Sequence, residues 1–281
     1  MQEWWQHLPL TLHPIAITVG FFSVSWYGIF FLLGCTAAFS YGWVLVKRGV
    51  LALSSEELFD LFVLLFFGAL VGARLGFALF YFPSLLFTHP LAFFSPYDFT
   101  IGQWTGIAGM SFHGGLIGVM VALGWFVRKR GLSLWLVADA LALCAPLALF
   151  FGRLGNFWNG ELYGRVTTVP WGMLFPGAQP AWLLRHPSSL YEAVLEGGVL
   201  FLVLLYVRSR TTIPGVLASF FLLGYATVRF FVEYVREPDR GVNLYGALTR
   251  GQLLSLGMFF CGAVLFFWLR GKKYVTITQK R

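Results

Sequence analysis

Long apolar runs, separated by short polar segments, are the main pattern along the chain. Seven runs are close to the roughly 20 residues that a helix needs to cross the hydrocarbon core of a bilayer. The third run is rich in glycine, which leaves it open as a regular helix or as a partly unwound, re-entrant segment. The pattern predicts an all-α, polytopic integral membrane protein with a single membrane-embedded domain and about seven transmembrane helices, at residues 21–46, 57–80, 105–127, 134–152, 189–207, 215–235 and 251–269.

Lysine and arginine are unevenly distributed between the two sides of these spans. The segments that follow the first, third, fifth and seventh spans carry twice as many of them as the segments on the opposite side. Because basic residues accumulate in cytoplasmic loops, this distribution predicts an N-terminus outside and a C-terminus inside. The outer loop 153–188 and the segment 236–250 are then expected to form a small periplasmic cap. The N-terminal segment, with Trp4 and Trp5, lacks the basic start of a signal peptide and suits an amphipathic segment at the headgroup level.

The composition agrees with a membrane protein and disfavours other classes. Hydrophobic residues make up 58% of the chain and charged residues 11%, against about 25% charged residues in a typical soluble domain. The net charge of +8 comes from basic clusters that lack interleaved aromatic residues, so we expect no nucleic-acid partner. Cys35, Cys144 and Cys261 all lie in apolar runs, so neither a disulfide framework nor a metal site is predicted.

Ionisable residues inside the predicted spans mark candidate functional positions, because charge at that depth is costly. Tyr225, Arg229 and Glu233 are spaced four residues apart and share one face of the sixth predicted helix. Arg229 and Glu233 either form an ion pair that only neutralises itself, or Glu233 orients Arg229 toward a bound anion. The depth of the pair in the span favours the second interpretation.

The segment GRLGNFWNGELYGR, residues 152–165, is predicted to begin the outer loop at Arg153. Its glycines permit tight turns and close backbone approach, while Asn156, Asn159 and Glu161 supply donors and acceptors without bulk. A purely structural loop would not need two arginines and a glutamate packed among them. The segment therefore favours a site for a lipid headgroup.

Other polar positions have two interpretations each. His113 is followed by Gly114 and Gly115, which leave space for a ligand or for a close-packed neighbouring helix. Arg74 is a further candidate site residue, in the outer half of the second predicted span. Tyr27 is a candidate anchor at the outer membrane–water interface.

The start of the fifth span and two aspartates have structural interpretations. Ser188 or Ser189 is predicted to cap the fifth helix, with Glu192 in its first turn. Glu192 and Glu196 could instead face a cavity. Asp60 and Asp139 lie toward the inner side and are predicted to hold helices together.

Most of these charges are thus predicted in the outer half of the membrane. Arginine suits phosphate because its planar fork can bind two oxygens at once. An anionic phospholipid headgroup is the natural ligand at that depth.

Six short segments, in order, resemble one bacterial family, the prolipoprotein diacylglyceryl transferases. The resemblance covers almost the whole length, and six ordered matches are far more specific than one glycine-rich match. The segments are SWYG near the first span, GARLG in the second, HGGL in the third, GRLGNFWNGELYGR, HPSSLYEA at the fifth, and Tyr225-x3-Arg229-x3-Glu233 followed by REPD in the sixth.

The resemblance implies an activity and a location. Members of the family transfer the diacylglyceryl group of phosphatidylglycerol to the lipobox cysteine in the signal peptide of a prolipoprotein. A thioether forms and glycerol 1-phosphate leaves, in the first step of lipoprotein maturation. The expected partners are phosphatidylglycerol, the prolipoprotein and membrane lipid, in a multi-pass protein of the bacterial inner membrane. No cofactor is expected.

The resemblance also implies site residues. It makes Arg153 and Arg229 essential, and Tyr27 and Asp139 match less decisive positions. The supporting residues that it implies are His113, Asn156, Glu161, Gly164, Tyr225 and Glu233.

These residues give a hypothesis for the chemistry. Arg153 and Arg229 grip the phosphate and stabilise the leaving group. His113 is the best residue type for a general base, although Glu233 or Glu161 could share that role. A headgroup transferase is one competing interpretation, and it would form a new phosphodiester in place of a thioether. An anion transporter would need polar residues that continue to the inner side, where only Asp60 and Asp139 are found, and both have the wrong sign for an anion. A structural membrane subunit would not explain the polar residues of segment 153–165.

Overall fold

The computed structural model describes residues 2–20, 22–81, 97–98, 103–104, 110–237 and 248–271. The described chain is mostly helical, with two short antiparallel strand pairs. Its elements are α1 (Gln2–Thr11), β1 (Ile15–Val19), β2 (Phe22–Ser25), α2 (Trp26–Lys47), α3 (Ser55–Tyr81), β3 (Tyr97–Asp98), β4 (Gln103–Trp104), α4 (Phe112–Arg130), α5 (Leu134–Trp158), α6 (Ser188–Arg210), α7 (Val216–Val232) and α8 (Arg250–Gly271).

Five helices of the described chain, α2, α3, α5, α6 and α8, are long and apolar enough to cross a membrane. Their mean hydropathy is 1.9 to 2.1, yet no more than 33% of each is buried within the protein. Apolar surface that is this extensive and this exposed needs lipid as its solvent. α7 is a further apolar helix of 17 residues. The predicted polytopic membrane protein is confirmed, while the count of seven spans and their sidedness stay predictions.

The first predicted span begins too early, and the all-α prediction is wrong at this point. Phe22–Ser25 pairs antiparallel with Ile15–Val19, and α2 begins only at Trp26. The two strands are rich in β-branched residues, which favour extended backbone. Gly20 lies between them with a φ of +61°, a conformation that favours glycine.

The fourth predicted span ends too early, so the predicted loop 153–188 begins too early as well. α5 continues to Trp158, and Arg153 lies inside this helix. The apolar face of α5 continues past residue 152, because Trp158 contacts the rings of Trp26 and Phe30 with centroids 5.2 and 5.7 Å away. Helix packing thus extends the helix through residues that look like a polar loop in the sequence.

The third predicted span contains a regular helix, α4. The Ser111 hydroxyl caps it by accepting a hydrogen bond from the Gly114 amide at 3.3 Å, and Gly131 ends it with a φ of +64°. A left-handed glycine is a common end of a helix. Residues 105–109, the first part of the predicted span, lie outside the described residues.

α3 and α4 belong to one compact unit, Val46–Val137, and pack through glycines. A Cβ atom added to Gly76 would lie 2.6 Å from the Gly114 Cα, and one added to Gly72 would lie 2.8 Å from the Gly118 Cα. Glycines four residues apart let two membrane helices approach this closely. Asp60 accepts a hydrogen bond from Arg130 at 2.9 Å between these two helices, which confirms its predicted role in holding helices together.

The second compact unit comprises Met1–Leu45 and Ala138–Arg281. In this unit the carboxylate of Asp139, on α5, accepts hydrogen bonds from the amides of Gly215 at 2.7 Å and Ala218 at 2.8 Å. These amides begin α7, where donors lack partners within the helix. The predicted role of Asp139 in holding helices together is therefore confirmed.

Residues 159–187 form a packed substructure, here called the cap, on the end of α5. Phe157, Met173, Phe175 and Ala178 are its buried core, and α1 packs against that core through Trp5, Leu8 and Leu12. The indole of Trp5 donates to the Trp171 carbonyl at 3.0 Å. The predicted cap thus exists as a packed substructure that includes the N-terminal helix, and its periplasmic side stays a prediction.

Candidate functional site: a buried cluster of arginines and glutamates

Arginines and glutamates from three helices of the second unit meet at the ends of those helices. Arg153 lies near the end of α5, Glu192 and Glu196 at the start of α6, and Arg229 in the last turn of α7. Glu192 joins the two arginines, because its Oε2 lies 3.1 Å from Arg153 Nη1 and its Oε1 accepts from Arg229 Nη1 at 2.9 Å. We call these residues, with Glu233 and Arg236, the arginine cluster.

The start of α6 is shaped to present two carboxylates. Glu192 ends one helical turn, and Ala193–Val199 is a π-helical stretch that contains Glu196. A Cβ atom on Gly197 would lie 2.6 Å from Phe150 Cβ and 2.8 Å from Phe150 Cα. Only glycine therefore lets α6 lie so close to α5, and this close contact brings Glu196 to Arg153. Glu196 Oε2 accepts from Arg153 Nε at 3.1 Å and Nη2 at 3.0 Å.

The prediction that a serine side chain caps α6 is wrong. The residue at the N-cap position is Pro187, and no side chain caps the first turn. Ser188 instead donates to the Leu162 carbonyl at 2.7 Å. It therefore fastens the cap to α6, and the start of the helix is held by tertiary contacts.

On α7, the predicted pair of Arg229 and Glu233 exists within a larger network. Arg229 Nη2 lies 3.0 Å from Glu233 Oε2, while Arg229 Nη1 binds Glu192. Glu233 is fixed from its other side by the Thr249 hydroxyl, which donates to Oε1 at 3.0 Å. A Cβ atom on Gly251 would lie 2.6 Å from the same oxygen. Glu233 is thus enclosed by the start of α8 and orients Arg229.

The formal charges of the arginine cluster balance, with three arginines and three glutamates. Arg236 completes it, with Nη1 at 3.7 Å from Glu192 Oε1. The side chain of Glu192 has 0% of its surface exposed, whereas those of Arg153 and Arg229 are 15% and 16% exposed. An anion that approaches the cluster therefore meets guanidinium groups before carboxylates. Glu192 is the partner that all three arginines share, so its removal would leave the largest imbalance of buried charge, and such an imbalance is strongly destabilising.

Two predicted site tyrosines lie beside the arginine cluster. Tyr225 stacks on Phe221 with ring centroids 5.9 Å apart and lies within electrostatic range of Arg153 and Arg229. A Cβ atom on Gly155 would lie 3.1 Å from Tyr27 Cδ2, so Tyr27 packs on α5 at Gly155, two residues after Arg153.

Asn156 and Glu161 lie where α5 passes into the cap. The side-chain amides of Asn156 and Asn159 both donate to the Glu161 carboxylate at 3.3 Å. Glu161 is exposed to solvent, so these three residues form a polar rim. Their roles in substrate binding stay predictions.

Gly164 lies at a position where the neighbouring chain leaves no room for a side chain. Its amide donates to the His186 carbonyl at 2.7 Å, and a Cβ atom there would lie 2.6 Å from His186 Cβ and would also contact the Val235 carbonyl. No side chain fits at this position. The packing explains the glycine, and its predicted part in substrate binding stays a prediction.

His113 and Arg74 lie in the first unit, on α4 and α3. His113 is an exposed residue in the first turn of α4. Of the two interpretations of the glycines after it, the close-packed neighbouring helix is confirmed for Gly114, which contacts Gly72 and Gly76. The catalytic role of His113 and the binding role of Arg74 stay predictions.

Three members of the cluster are absent from the predicted site residues, namely Glu192, Glu196 and Arg236. Glu192 has a sufficient structural explanation as a first-turn carboxylate, but a second glutamate four residues later in an apolar helix was a signal for a charged partner. Arg236 follows Arg229 by seven residues and Glu233 by three. α7 ends at Val232 and Arg236 forms a β-bridge with Gly164, so helical spacing alone did not predict its contact with Glu192.

Comparison with known proteins agrees with the resemblance of the motifs. A family model described as prolipoprotein diacylglyceryl transferase matches residues 14–268. Proteins named phosphatidylglycerol–prolipoprotein diacylglyceryl transferase are similar over most of their length: 46% identical in Pseudoalteromonas atlantica (92% of this chain, 89% of the relative), 44% in Geobacter sulfurreducens (90% and 94%) and 42% in Wolinella succinogenes (96% and 97%). The chain therefore belongs to the prolipoprotein diacylglyceryl transferase family.

Proposed function

We propose that this chain transfers the diacylglyceryl group of phosphatidylglycerol to the lipobox cysteine of a prolipoprotein, releasing glycerol 1-phosphate in the first step of lipoprotein maturation. One observation carries the proposal: Arg153 and Arg229, from different helices, converge on the single buried carboxylate of Glu192. The family and the names of the relatives support the reaction. The exposed apolar helices support a lipid substrate.

The arginine cluster is suited to a phosphodiester. The phosphate of phosphatidylglycerol carries one negative charge, and its oxygens compete with Glu192 for the N–H groups of Arg153 and Arg229. Each guanidinium has five donors in a fixed fork, so it can bind phosphate while it keeps one glutamate. Glu196 and Glu233 hold the far sides of the two forks and so fix the direction in which the remaining donors point.

The charge that develops in the reaction also falls on the phosphate. The sulfur of the substrate cysteine forms a bond to the glycerol carbon, and the bond between that carbon and the phosphate oxygen breaks. The electron pair goes to that oxygen, so the departing glycerol 1-phosphate carries one more negative charge than the diester did. Arginines placed before the reaction stabilise that charge most in a site with little water.

The thiol must lose its proton, because the thiolate is the nucleophile. His113 is our first candidate for the base, with Glu233 and Glu161 as alternatives. Glu233 already accepts from Thr249 and pairs with Arg229, which makes it the weaker acceptor. We further propose that Tyr225 acts beside the phosphate, and that Tyr27, Arg74, Asn156, Glu161 and Gly164 shape the substrate site.

The proposed reaction requires the cap on the outer side. We propose seven spans with the N-terminus outside and the C-terminus inside the bacterial inner membrane. The cluster lies at the end of α5 that enters the cap, and this orientation would put that end at the outer face. An exported prolipoprotein, with its signal peptide still in the membrane, would present its cysteine at that level.

The direct test is incubation of the purified protein with phosphatidylglycerol and a lipobox peptide, followed by mass analysis of the cysteine. The proposal predicts a diacylglyceryl thioether and free glycerol 1-phosphate. A matched Arg208→Ala variant, altered at the other end of α6, should behave as the parent does. A new phosphodiester product, with the cysteine unmodified, would instead indicate a headgroup transferase.

A further inference from the structure

A narrow apolar groove runs between α6 and α7 in the second unit. Its volume is about 320 Å³. Its walls are almost entirely aliphatic, and they include Leu195, Val199 and Val203 on α6 and Leu223, Thr227 and Val228 on α7.

The one hydroxyl group among these six side chains is not offered to a ligand. Thr227 Oγ1 donates to the Leu223 carbonyl of its own helix at 2.7 Å, so the threonine presents its methyl group to the groove. These six side chains therefore supply no free hydrogen-bond donor, and a polar occupant would lose most of its own hydrogen bonds there. The expected occupant of the groove is therefore a hydrocarbon chain.

One end of the groove lies at the level of the arginine cluster along the two helices. Val228 immediately precedes Arg229, and Leu195 immediately precedes Glu196. From these residues the groove runs along α6 to Val203 and along α7 to Phe220, which is about 12 Å at 1.5 Å per residue. It leads away from the cluster toward the middle of the two helices.

The dimensions distinguish a lipid chain from a peptide helix. A helix with its side chains is about 10–12 Å wide, so a 12 Å length of it occupies roughly 900 Å³. The groove has about a third of that volume. A single extended acyl chain matches this volume, whereas a transmembrane helix could be accommodated only in part.

We propose that this groove holds one acyl chain of the phospholipid whose phosphate binds at the arginine cluster. The proposal rests on the proposed function, because that function supplies a diacyl lipid with its phosphate at Arg229. The groove then makes the enzyme sensitive to chain length: a lipid with long chains gains binding from it, and a lipid with chains of six carbons gains little.

The test compares transfer from dipalmitoyl and dihexanoyl phosphatidylglycerol in a variant with a filled groove. The variant is Val199→Trp, at a groove residue of α6 that is 43% exposed. The ratio of kcat/KM for the long lipid to that for the short lipid should fall about tenfold. Leu202→Trp adds the same ring on α6 outside the groove, at a residue 65% exposed, and should leave the ratio unchanged. Val203→Trp, at another groove residue, is a second variant for the same comparison. If kcat/KM fell equally for both lipids in these variants, or if the ratio did not change, the proposal would be overturned.

A second measurement does not depend on turnover. Phosphatidylglycerol with a photoreactive diazirine in one acyl chain is irradiated with the protein, and the labelled residues are mapped by mass spectrometry. Label on the groove residues of α6 and α7 is expected, and it should decrease in Val199→Trp. Groove labelling without thioether formation would contradict the proposed function alone. Thioether formation with label only elsewhere would contradict the groove.

Discussion

Two clusters in this chain join an arginine to two carboxylates, and they differ in exposure rather than in distance. In the first unit, Arg130 lies 3.0 Å from Glu57 and 2.9 Å from Asp60, and these side chains are 38%, 28% and 56% exposed. In the second unit, Arg153 lies 3.1 Å from Glu192 and 3.0 Å from Glu196, whose carboxylates are fully buried. Close ion pairs therefore do not by themselves identify a functional site. Burial separates the two clusters and makes the second one the candidate site, because charge inside a membrane protein is costly to retain.

The largest expected effect on stability is that of removing the central carboxylate of the buried cluster. In Glu192→Ala, Arg153, Arg229 and Arg236 lose a shared partner, and we expect the free energy of unfolding in detergent to fall by about 3–5 kcal/mol. Denaturant titration followed by circular dichroism measures it. The matched control is Glu57→Ala in the exposed cluster. An equal loss in the two variants would contradict the comparison.

The next largest effect concerns the close contact between α5 and α6. Gly197→Ala places a Cβ atom against Phe150, and overpacking of this kind costs about 1–3 kcal/mol. Because α6 must move, Glu196 moves from Arg153, and transfer activity should decrease as well. Gly124→Ala on α4 is the control, since a Cβ atom there meets nothing within 4 Å. Unchanged melting and activity in Gly197→Ala would show that the contact is not needed.

A smaller effect is expected in the exposed cluster. Arg130→Ala removes both ion pairs between α3 and α4, but exposed pairs contribute only about 0–1 kcal/mol. The glycine contacts of these helices remain. The melting temperature should change by a few degrees at most and the transfer activity should be retained. A loss above about 2 kcal/mol would show that this cluster behaves as a buried one.

The smallest effect is a pH dependence of the cap. Burial lowers the pKa of the His186 imidazole, whose Nδ1 lies 3.2 Å from the Tyr191 hydroxyl. The folded cap therefore favours the neutral ring. This contribution to stability is complete above the ordinary histidine pKa of about 6.5 and is lost as the pH falls below it.

The test compares parent and His186→Gln at pH 7.5 and pH 5.5. The parent should lose more stability between these two values than the variant does, as measured by limited proteolysis of residues 159–187. Equal losses would remove His186 as the titrating group.

Hydropathy in the sequence predicted the apolar helices well, because the cost of exposing polar backbone to lipid leaves few other structures. It failed where tertiary contacts decide. The segment from Arg153 to Trp158 contains the glycine and asparagine of a loop, yet aromatic packing on Trp26 and Phe30 keeps it helical. The strand Phe22–Ser25 is apolar enough to belong to a span and pairs instead with its neighbour.

Two of the three arginines of the candidate site were predictable from the sequence, and their partners were less so. Arg153 and Arg229 lie in apolar surroundings, where charge signals function. Their convergence on Glu192 could not be read from spacing, because it depends on a π-helical stretch and on the absence of a side chain at Gly197. The cap was predicted from the outer loops, but the part of the N-terminal helix in it was not, because Trp5 and Leu8 pack against its core from a distant part of the sequence.

The central claim is that Arg153 and Arg229 bind the phosphate and stabilise the leaving group. Its most direct test is the rate of thioether formation on a lipobox peptide in Arg153→Ala and Arg229→Ala, with Arg130→Ala as the exposed control and circular dichroism to verify folding. Loss of one group that stabilises the developing charge lowers the rate by about 10²–10³-fold or more. We predict that loss in both variants of the buried cluster and a normal rate in Arg130→Ala. Full activity in a folded Arg153→Ala or Arg229→Ala protein would contradict the account.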